Sequence, residues 1–145
     1  MPSLVFSVPG LPVPQGSKRV ARHQIIETNA AKLRPWRATV TATAIETAQE
    51  DQWPQAVGPV SVYLTFRLPR PKAHYRTGAK AGELKPAAPY AVTSKPDIDK
   101  LTRAILDALT DAGIWRDDSQ VVRLHAQKIY NTLPSVGIWI ETADD

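Results

Sequence analysis

The sequence predicts a single small α/β domain in which a mixed β-sheet packs with about two helices. Three observations carry this. Several short stretches alternate apolar and polar residues with the period of two expected of strands, clearest over 57–68, 121–130 and 136–140. Residues 98–112 instead repeat their apolar side chains at intervals of three and four, the mark of a helix with one buried stripe. The whole chain is 145 residues with 43% hydrophobic side chains, enough for one core and no second domain.

In chain order, Leu4 to Val8 reads as a strand that ends at Pro9-Gly10. Leu11-Pro-Val-Pro-Gln-Gly-Ser-Lys-Arg follows as a proline-punctuated loop, with Lys18, Arg19, Arg22 and His23 close behind. Backbone amides around Gly16 and these cations suit phosphate contacts, although a solvated surface loop explains any one of them equally well. Trp36 to Glu50 predicts a helix: Trp36, Val40, Ala44 and Ala48 recur at four, against the drag of several β-branched threonines. In the strand Val57–Leu68, Val60, Val62, Leu64 and Phe66 take one face.

Pro69 to Ser94 has no regular period. Its prolines and glycines imply no compact element, and Arg70, Lys72, Arg76, Lys80 and Lys85 stand against Glu83 alone. A basic, proline-rich loop of this length in a small domain suits DNA contact, with ordering on binding, and Tyr75 and Tyr90 are candidates to stack on bases. A mobile insertion without a role is the alternative.

Lys95 to Val122 is the informative stretch. Pro96 biases Lys95 toward extended backbone, and Asp97 is a suitable N-cap whose carboxylate can accept from the first free helix N–H groups. Ile98, Leu101, Ile105, Leu109 and Ala112 form the buried stripe, with Asp99, Lys100, Arg103, Asp107 and Asp111 on the other side. Gly113 ends the helix, Ile114-Trp115 returns to the core, and Arg116-Asp117-Asp118-Ser119 turns into a strand over Val121–Tyr130. Asp118 shares the parity of Val122, so a helix packed on that strand would bring Asp118 near Asp97 and Asp99 while Asp117 points away. Asn131 to Pro134 reads as a turn, and the final strand at Val136, Ile138 and Ile140 then suggests a terminal hairpin.

Charge divides along the chain. Residues 1–90 hold 12 Lys and Arg against 5 Asp and Glu, net +7, whereas 91–145 hold 6 against 9, net −3. A basic body around an acidic centre suits a polyanion gripped by cations while a carboxylate-held metal works on its phosphates. The alternative is an ordinary basic protein with a solvated acidic helix face. There is no cysteine, so disulfides and thiolate zinc sites are excluded. The opening MPSLVFSVPG fits neither a signal peptide nor a membrane span, and a soluble cytoplasmic protein is expected. No phosphate-binding Gly-x-x-x-x-Gly-Lys-Ser/Thr loop and no Gly-x-Ser-x-Gly elbow occur.

Lys95-Pro-Asp-Ile-Asp, Leu106-Asp-Ala-Leu and Gly113-Ile-Trp-Arg-Asp-Asp-Ser-Gln-Val-Val together closely resemble the core of the RusA family of Holliday junction resolvases, found in phages, prophages and bacteria. Val8-Pro-Gly-Leu-Pro-Val-Pro-Gln-Gly-Ser-Lys-Arg is a weaker second similarity, and the loop 69–94 carries none. The resemblance implies a small mixed α/β fold, a homodimer, dependence on Mg²⁺ (with Mn²⁺ as a substitute), and paired incisions in four-way DNA junctions that leave 5′-phosphate and 3′-hydroxyl ends. It places the three essential carboxylates on Asp97, Asp99 and Asp118. Two positions depart from the pattern: Lys100 stands where the family usually has Asn, and Arg103 where it usually has an essential Lys. Arg keeps the charge but does not readily release a proton, so Arg103 serves if the role is electrostatic, and Lys100 is the stand-in if an ammonium is needed. The DNA contacts expected are Lys18, Arg19, Arg22, Arg70, Lys72, Arg76 and Lys95. Two other readings fit the residues: a branched-DNA-binding module with weakened catalysis, and a metal-dependent hydrolase of a small phosphorylated substrate.

Overall fold

Strand β4 (Val60–Leu68) is the hub of the fold: Val60, Val62, Leu64, Phe66 and Leu68 are all buried, and so is Ser61 on the opposite face. A strand so covered takes the centre of a sheet. The computed structural model describes residues 2–16, 18–21, 24–27 and 30–143, giving only the backbone between 18 and 27. β4 pairs in parallel with β5 (Val121–Tyr130) and antiparallel with β6 (Ser135–Thr142), and β6 pairs antiparallel with β1 (Ser3–Pro9). The sheet order is therefore β1-β6-β4-β5. A separate antiparallel pair, β2 (Lys18–Ala21) and β3 (Gln24–Glu27), falls where the sequence predicts only loop; four-residue strands are too short to show a period.

This order corrects the expected terminal hairpin. β5 and β6 are consecutive but unpaired, because the more apolar β4 lies between them. The turn joining them passes over the end of β4, where the Asn131 N–H donates to the Leu68 carbonyl at 2.9 Å. The Asn131 side chain accepts from the Leu133 N–H at 3.0 Å, closing the turn locally.

Both helices cover one face of the sheet. Helix α1 (Ala30–Glu50) starts earlier than the sequence suggests and buries Leu33, Trp36, Val40 and Ala44. Its threonines are accommodated by bonding back along the helix, Thr39 to the Pro35 carbonyl, Thr43 to Thr39 and Thr47 to Thr43. Helix α2 (Ile98–Asp111) buries Leu101, Ile105, Ala108 and Leu109 in the same core as Val60, Val62, Leu64 and Phe66 of β4. Gly113 (φ 75°) ends this run in the left-handed region, as expected. Trp115 is wholly buried and donates its indole N–H to the Thr110 hydroxyl at 2.8 Å. The other sheet face stays open, with Val5, Ile129 and Trp139 exposed and the Tyr63 and Trp139 rings 4.8 Å apart.

Residues 69–95 have more form than their composition implies. His74–Lys85 folds into a narrow finger closed by an antiparallel bridge between Tyr75 and Leu84, with Arg76 N–H to Glu83 carbonyl at 2.8 Å and Lys85 N–H to His74 carbonyl at 2.9 Å. Within it Arg76 is half-buried and Lys80 and Lys85 are exposed, and Lys72 is exposed just before it. Among the described residues no helix is long and apolar enough to cross a membrane.

Gly10 (φ 129°) turns the chain out of β1 over Trp36, and a Cβ there would lie 3.1 Å from the indole ring. Gly10→Ala is expected to cost more than about 1 kcal/mol, since it combines an unfavourable φ with a close approach to the ring; an unchanged urea midpoint would contradict this.

Candidate active site

The first turn of α2 and the turn before β5 are built by different means and meet at one edge of the sheet. Asp97 stands at the N-cap position with extended backbone, but its carboxylate makes no capping hydrogen bond, correcting the expected side-chain cap. Only its carbonyl joins the helix, accepting from the Leu101 N–H at 3.1 Å. The carboxylate pairs instead with the Lys100 ammonium at 3.5 Å, an exposed contact of small energetic weight.

The turn before β5 is tied at both ends by Gln120. Its Oε1 accepts from the Arg116 and Asp117 N–H groups at 2.8 and 3.0 Å, and its Nε2 donates to the Ala56 and Gly58 carbonyls at 2.9 and 3.0 Å. Asp117 accepts from the Ser119 N–H at 2.9 Å and completes a capping box over the short 3₁₀ turn Asp118–Gln120. That turn, not the strand, carries Asp118, so its direction is set by the cap rather than by parity with Val122. The two neighbours thus differ in role: Asp117 is used by the backbone and Asp118 is left exposed.

Asp99, Arg103, Asp107 and Asp118 line one cleft of about 460 Å³ between α2 and the edge strand β5, whose Leu124 and Ala126 form the apolar wall. Val122 and Leu124, predicted to be the buried side of a half-buried strand, are 65% and 47% exposed, because α2 leaves this edge of the sheet open. Desolvation raises the Asp118 carboxyl above the ordinary carboxylate value, and the neighbouring Asp117 and the charge of Asp107 push it the same way. The hydrogen bond from the Ser119 N–H holds Asp117 below that value.

The three expected carboxylates thus line two neighbouring cavities. Asp99 and Asp118 share the cleft; Asp97 and Lys100, and also Lys95, line a separate cavity on the other side of the α2 turn. Among the described residues, no three Asp, Glu, His or Cys side chains stand close enough together to hold a metal ion. Arg103 is in the cleft and Lys100 is not. Asp107 is the cleft residue that sequence reasoning passed over. It follows Asp99 and Arg103 at successive intervals of four on the helix, a visible signal that reads equally as a solvated face. Its carboxylate accepts from Gln15 Nε2 at 2.9 Å and lies 4.0 Å from Arg37, so it is partly neutralised from within the fold.

Of the expected DNA contacts, Lys72 is exposed just before the finger, Arg76 is half-buried within it, and Lys95 lines the second cavity. Arg70 is folded inward: its guanidinium lies 4.3 Å above the Tyr130 ring and donates to the Pro89 carbonyl at 2.7 Å. The side chains of Lys18, Arg19, Arg22 and His23 lie outside the described residues.

An α/β domain with an acidic cleft at a sheet edge and a separate basic finger defines a class of protein suited to phosphodiester substrates. The particular family follows from comparison: the family described as Endodeoxyribonuclease RusA matches residues 9–141, and the chain belongs to it. It is also 31% identical over 147 residues to an uncharacterised protein, YqaN, of Bacillus subtilis strain 168, covering 97% of this chain and 96% of that one.

The two adjacent aspartates are expected to respond oppositely to mutation. A raised folded-state carboxyl value means that the Asp118 charge opposes folding above that value, and that this penalty fades as pH falls to the ordinary value and below. Asp118→Asn should therefore melt at a higher temperature than the wild type at pH 7 without metal, with the gap closing in acid. Asp117→Ala should melt lower at pH 7, because a stabilising charge and cap are removed. Melting curves with the same sign for both variants would contradict these assignments.

Proposed function

We propose that this protein is a Mg²⁺-dependent, structure-selective DNA endonuclease that resolves Holliday junctions by paired nicks, acting as a homodimer in the cytoplasm of a bacterium or phage-infected cell. The observation that carries the catalytic part is the convergence of Asp99 and Asp118 on one cleft with the Arg103 cation. Two carboxylates are a fitting donor set, since Mg²⁺ is usually held by one or two of them together with water and substrate phosphate oxygens. Mn²⁺ shares this preference for hard oxygen ligands. Asp118 is raised first by desolvation and then by the neighbouring Asp117 and the charge of Asp107, and a bound cation would offset all three. Bound there, such an ion supplies a lowered pKa for a coordinated water and neutralises charge on the phosphate.

The chain's own residues do the rest. Asp99 and Asp118 enter the cleft from different elements, one from a helix and one from a capped turn, so their backbones are fixed relative to the site. Arg103, four residues after Asp99, stands where it can stabilise charge developing on the phosphate, the electrostatic role open to Arg but not the proton-donating one. The cations of the finger hold DNA in place. Asp97 and Lys100, the other family positions of this turn, pair at 3.5 Å and line the neighbouring cavity.

A second reading, a branched-DNA-binding module with weakened catalysis, is favoured by one observation: the carboxylates of Asp97, Asp99 and Asp118 do not gather into a three-ligand group among the described residues. Cleavage assays separate the two. Asp99→Asn and Asp118→Asn are each expected to abolish Mg²⁺-dependent cutting of a four-way junction while gel-shift affinity survives. Undiminished cutting by either variant removes the metal-site proposal, and no cutting by the wild type with Mg²⁺ or Mn²⁺ selects the second reading.

Neutralising Lys72, Arg76 and Lys80 together is expected to weaken junction binding and flatten its salt dependence, by up to about one unit of log–log slope for each phosphate no longer neutralised. An unchanged slope takes the finger out of the DNA interface.

Two strands related by approximate twofold symmetry need two sites, and each chain offers one cleft; a closed dimer supplies both. The open sheet face with Val5, Ile129 and Trp139 supports this assembly, being the apolar surface that the helices leave uncovered. Trp139→Glu is expected to shift sedimentation at micromolar concentration from dimer to monomer and to uncouple the two nicks. A dimer that persists in this variant places the contact elsewhere.

A further inference from the structure

Residues 85–96 close the basic segment and return the chain to α2, and they are tied down along their length. The Ala88 N–H donates to the Lys85 carbonyl at 3.0 Å. The Pro89 carbonyl accepts from the Arg70 guanidinium at 2.7 Å, and that guanidinium lies 4.3 Å from the centre of the Tyr130 ring at the end of β5. Val92 is buried. Lys128 Nζ, also from β5, donates to the Ser94 and Pro96 carbonyls, both at 2.9 Å.

Between the Pro89 and Val92 anchors stands Tyr90, which is 95% exposed, more than any other large apolar side chain among the described residues. The other aromatic side chains of this region are used by the fold: Tyr130 packs under Arg70 and against the edge of His74, whose ring centre is 5.4 Å away, and Tyr75 is half-buried in the finger. An exposed apolar side chain alone is ordinary. Tyr90 is singled out by a backbone held on both sides, so that its ring is presented to solvent from a fixed place, and by its surroundings. Arg70, Lys72, Arg76, Lys80, Lys85 and Lys95 stand around it in sequence against Glu83 alone. Cations draw a phosphate backbone to this segment, and an aromatic face among them meets bases.

The strap also fixes how far Tyr90 stands from the cleft. Lys128 is two residues along β5 from Ala126, which lines the cleft, and Tyr90 is four residues back from Ser94. Chain geometry therefore keeps Tyr90 within about 30 Å of the cleft, a span of about nine nucleotides of one strand.

We infer that Tyr90 is a stacking platform for a nucleobase left exposed at a DNA branch, within about nine nucleotides of the cut phosphate. The inference rests on the endonuclease reading and adds to it a source of preference for branched over linear DNA. Bases at a branch are short of stacking partners, so a fixed aromatic ring gains contact there at little cost in unpairing, whereas a continuous duplex keeps its bases stacked. Phosphate contacts alone make no such distinction.

The test compares Tyr90→Phe, Tyr90→Leu and Tyr90→Ala with the wild type by gel shift in metal-free buffer, on a four-way junction and on a linear duplex. Phe is expected to bind the junction like the wild type, and Leu and Ala each to lose roughly tenfold, the scale of one base–aromatic stack. All four proteins should bind the duplex alike and show one salt slope, because stacking releases no counterions. A scan of junctions that each lack one base near the branch then locates the contact: one position costs the wild type the same factor and costs Tyr90→Ala nothing. Full junction affinity in Tyr90→Ala, a Leu variant as tight as the wild type, an equal loss on duplex, a changed salt slope or a flat scan each overturns the platform. The scan with the wild type stands by itself should a variant fold poorly. Junction cutting by a wild type that passes none of these tests leaves the endonuclease reading standing, whereas a wild type that binds no branched DNA overturns both.

Discussion

Four hydrogen bonds converge on the side-chain amide of Gln120, and they use its full capacity of two acceptor lone pairs and two N–H groups. On one side they fix the turn that carries Asp118; on the other they tie it to the Ala56–Gly58 segment leading into the central strand. The turn has few other anchors, since Arg116, Asp117, Asp118 and Ser119 are all exposed. Without the amide, Asp118 would be one of several carboxylates on a surface loop. With it, Asp118 is held in the cleft that Asp99 also lines, although desolvation and the neighbouring Asp117 and Asp107 disfavour its charge. The fold accepts an unfavourable carboxylate here, as sites built for a cation commonly do.

The rest of the arrangement follows from where α2 sits. Its buried stripe joins the core beneath β4, so its polar side must face the sheet edge, and the edge strand β5 supplies the opposing wall. Three carboxylates of the C-terminal part, Asp99, Asp107 and Asp118, are thereby brought to one cleft. Positive charge lies in the finger and on Lys32, Lys95 and Lys100, which line the neighbouring cavity. This separation lets cations grip a polyanion without occupying the carboxylates, a division of labour that a mixed surface could not provide.

Much of this was legible in the residues. Helix α2 and strand β5 lie where Pro96, Gly113 and the change of period place them, because caps and periodicity are local signals. The family was legible too, since its motif spans one continuous stretch. Long-range order was not: that β4 inserts between β5 and β6 depends on which strand is most apolar on both faces, a property of the assembled sheet. The split of Asp97 from Asp99 was missed because a cap carboxylate was expected to turn toward its own helix. Asp107 was legible as a position and not as a site, for only the packing of α2 on the edge strand shows what it faces. The finger escaped composition altogether, since one bridge between Tyr75 and Leu84 and two backbone hydrogen bonds close it.

The central claim is that Asp99 and Asp118 hold a metal ion in the cleft between α2 and β5. Anomalous diffraction from crystals soaked in Mn²⁺ tests it most directly. The account predicts a peak in the cleft between α2 and β5, within coordinating distance of both carboxylates and absent from Asp118→Asn crystals. A peak beside Asp97 and Lys100 alone, or one that persists unchanged in the variant, would contradict it.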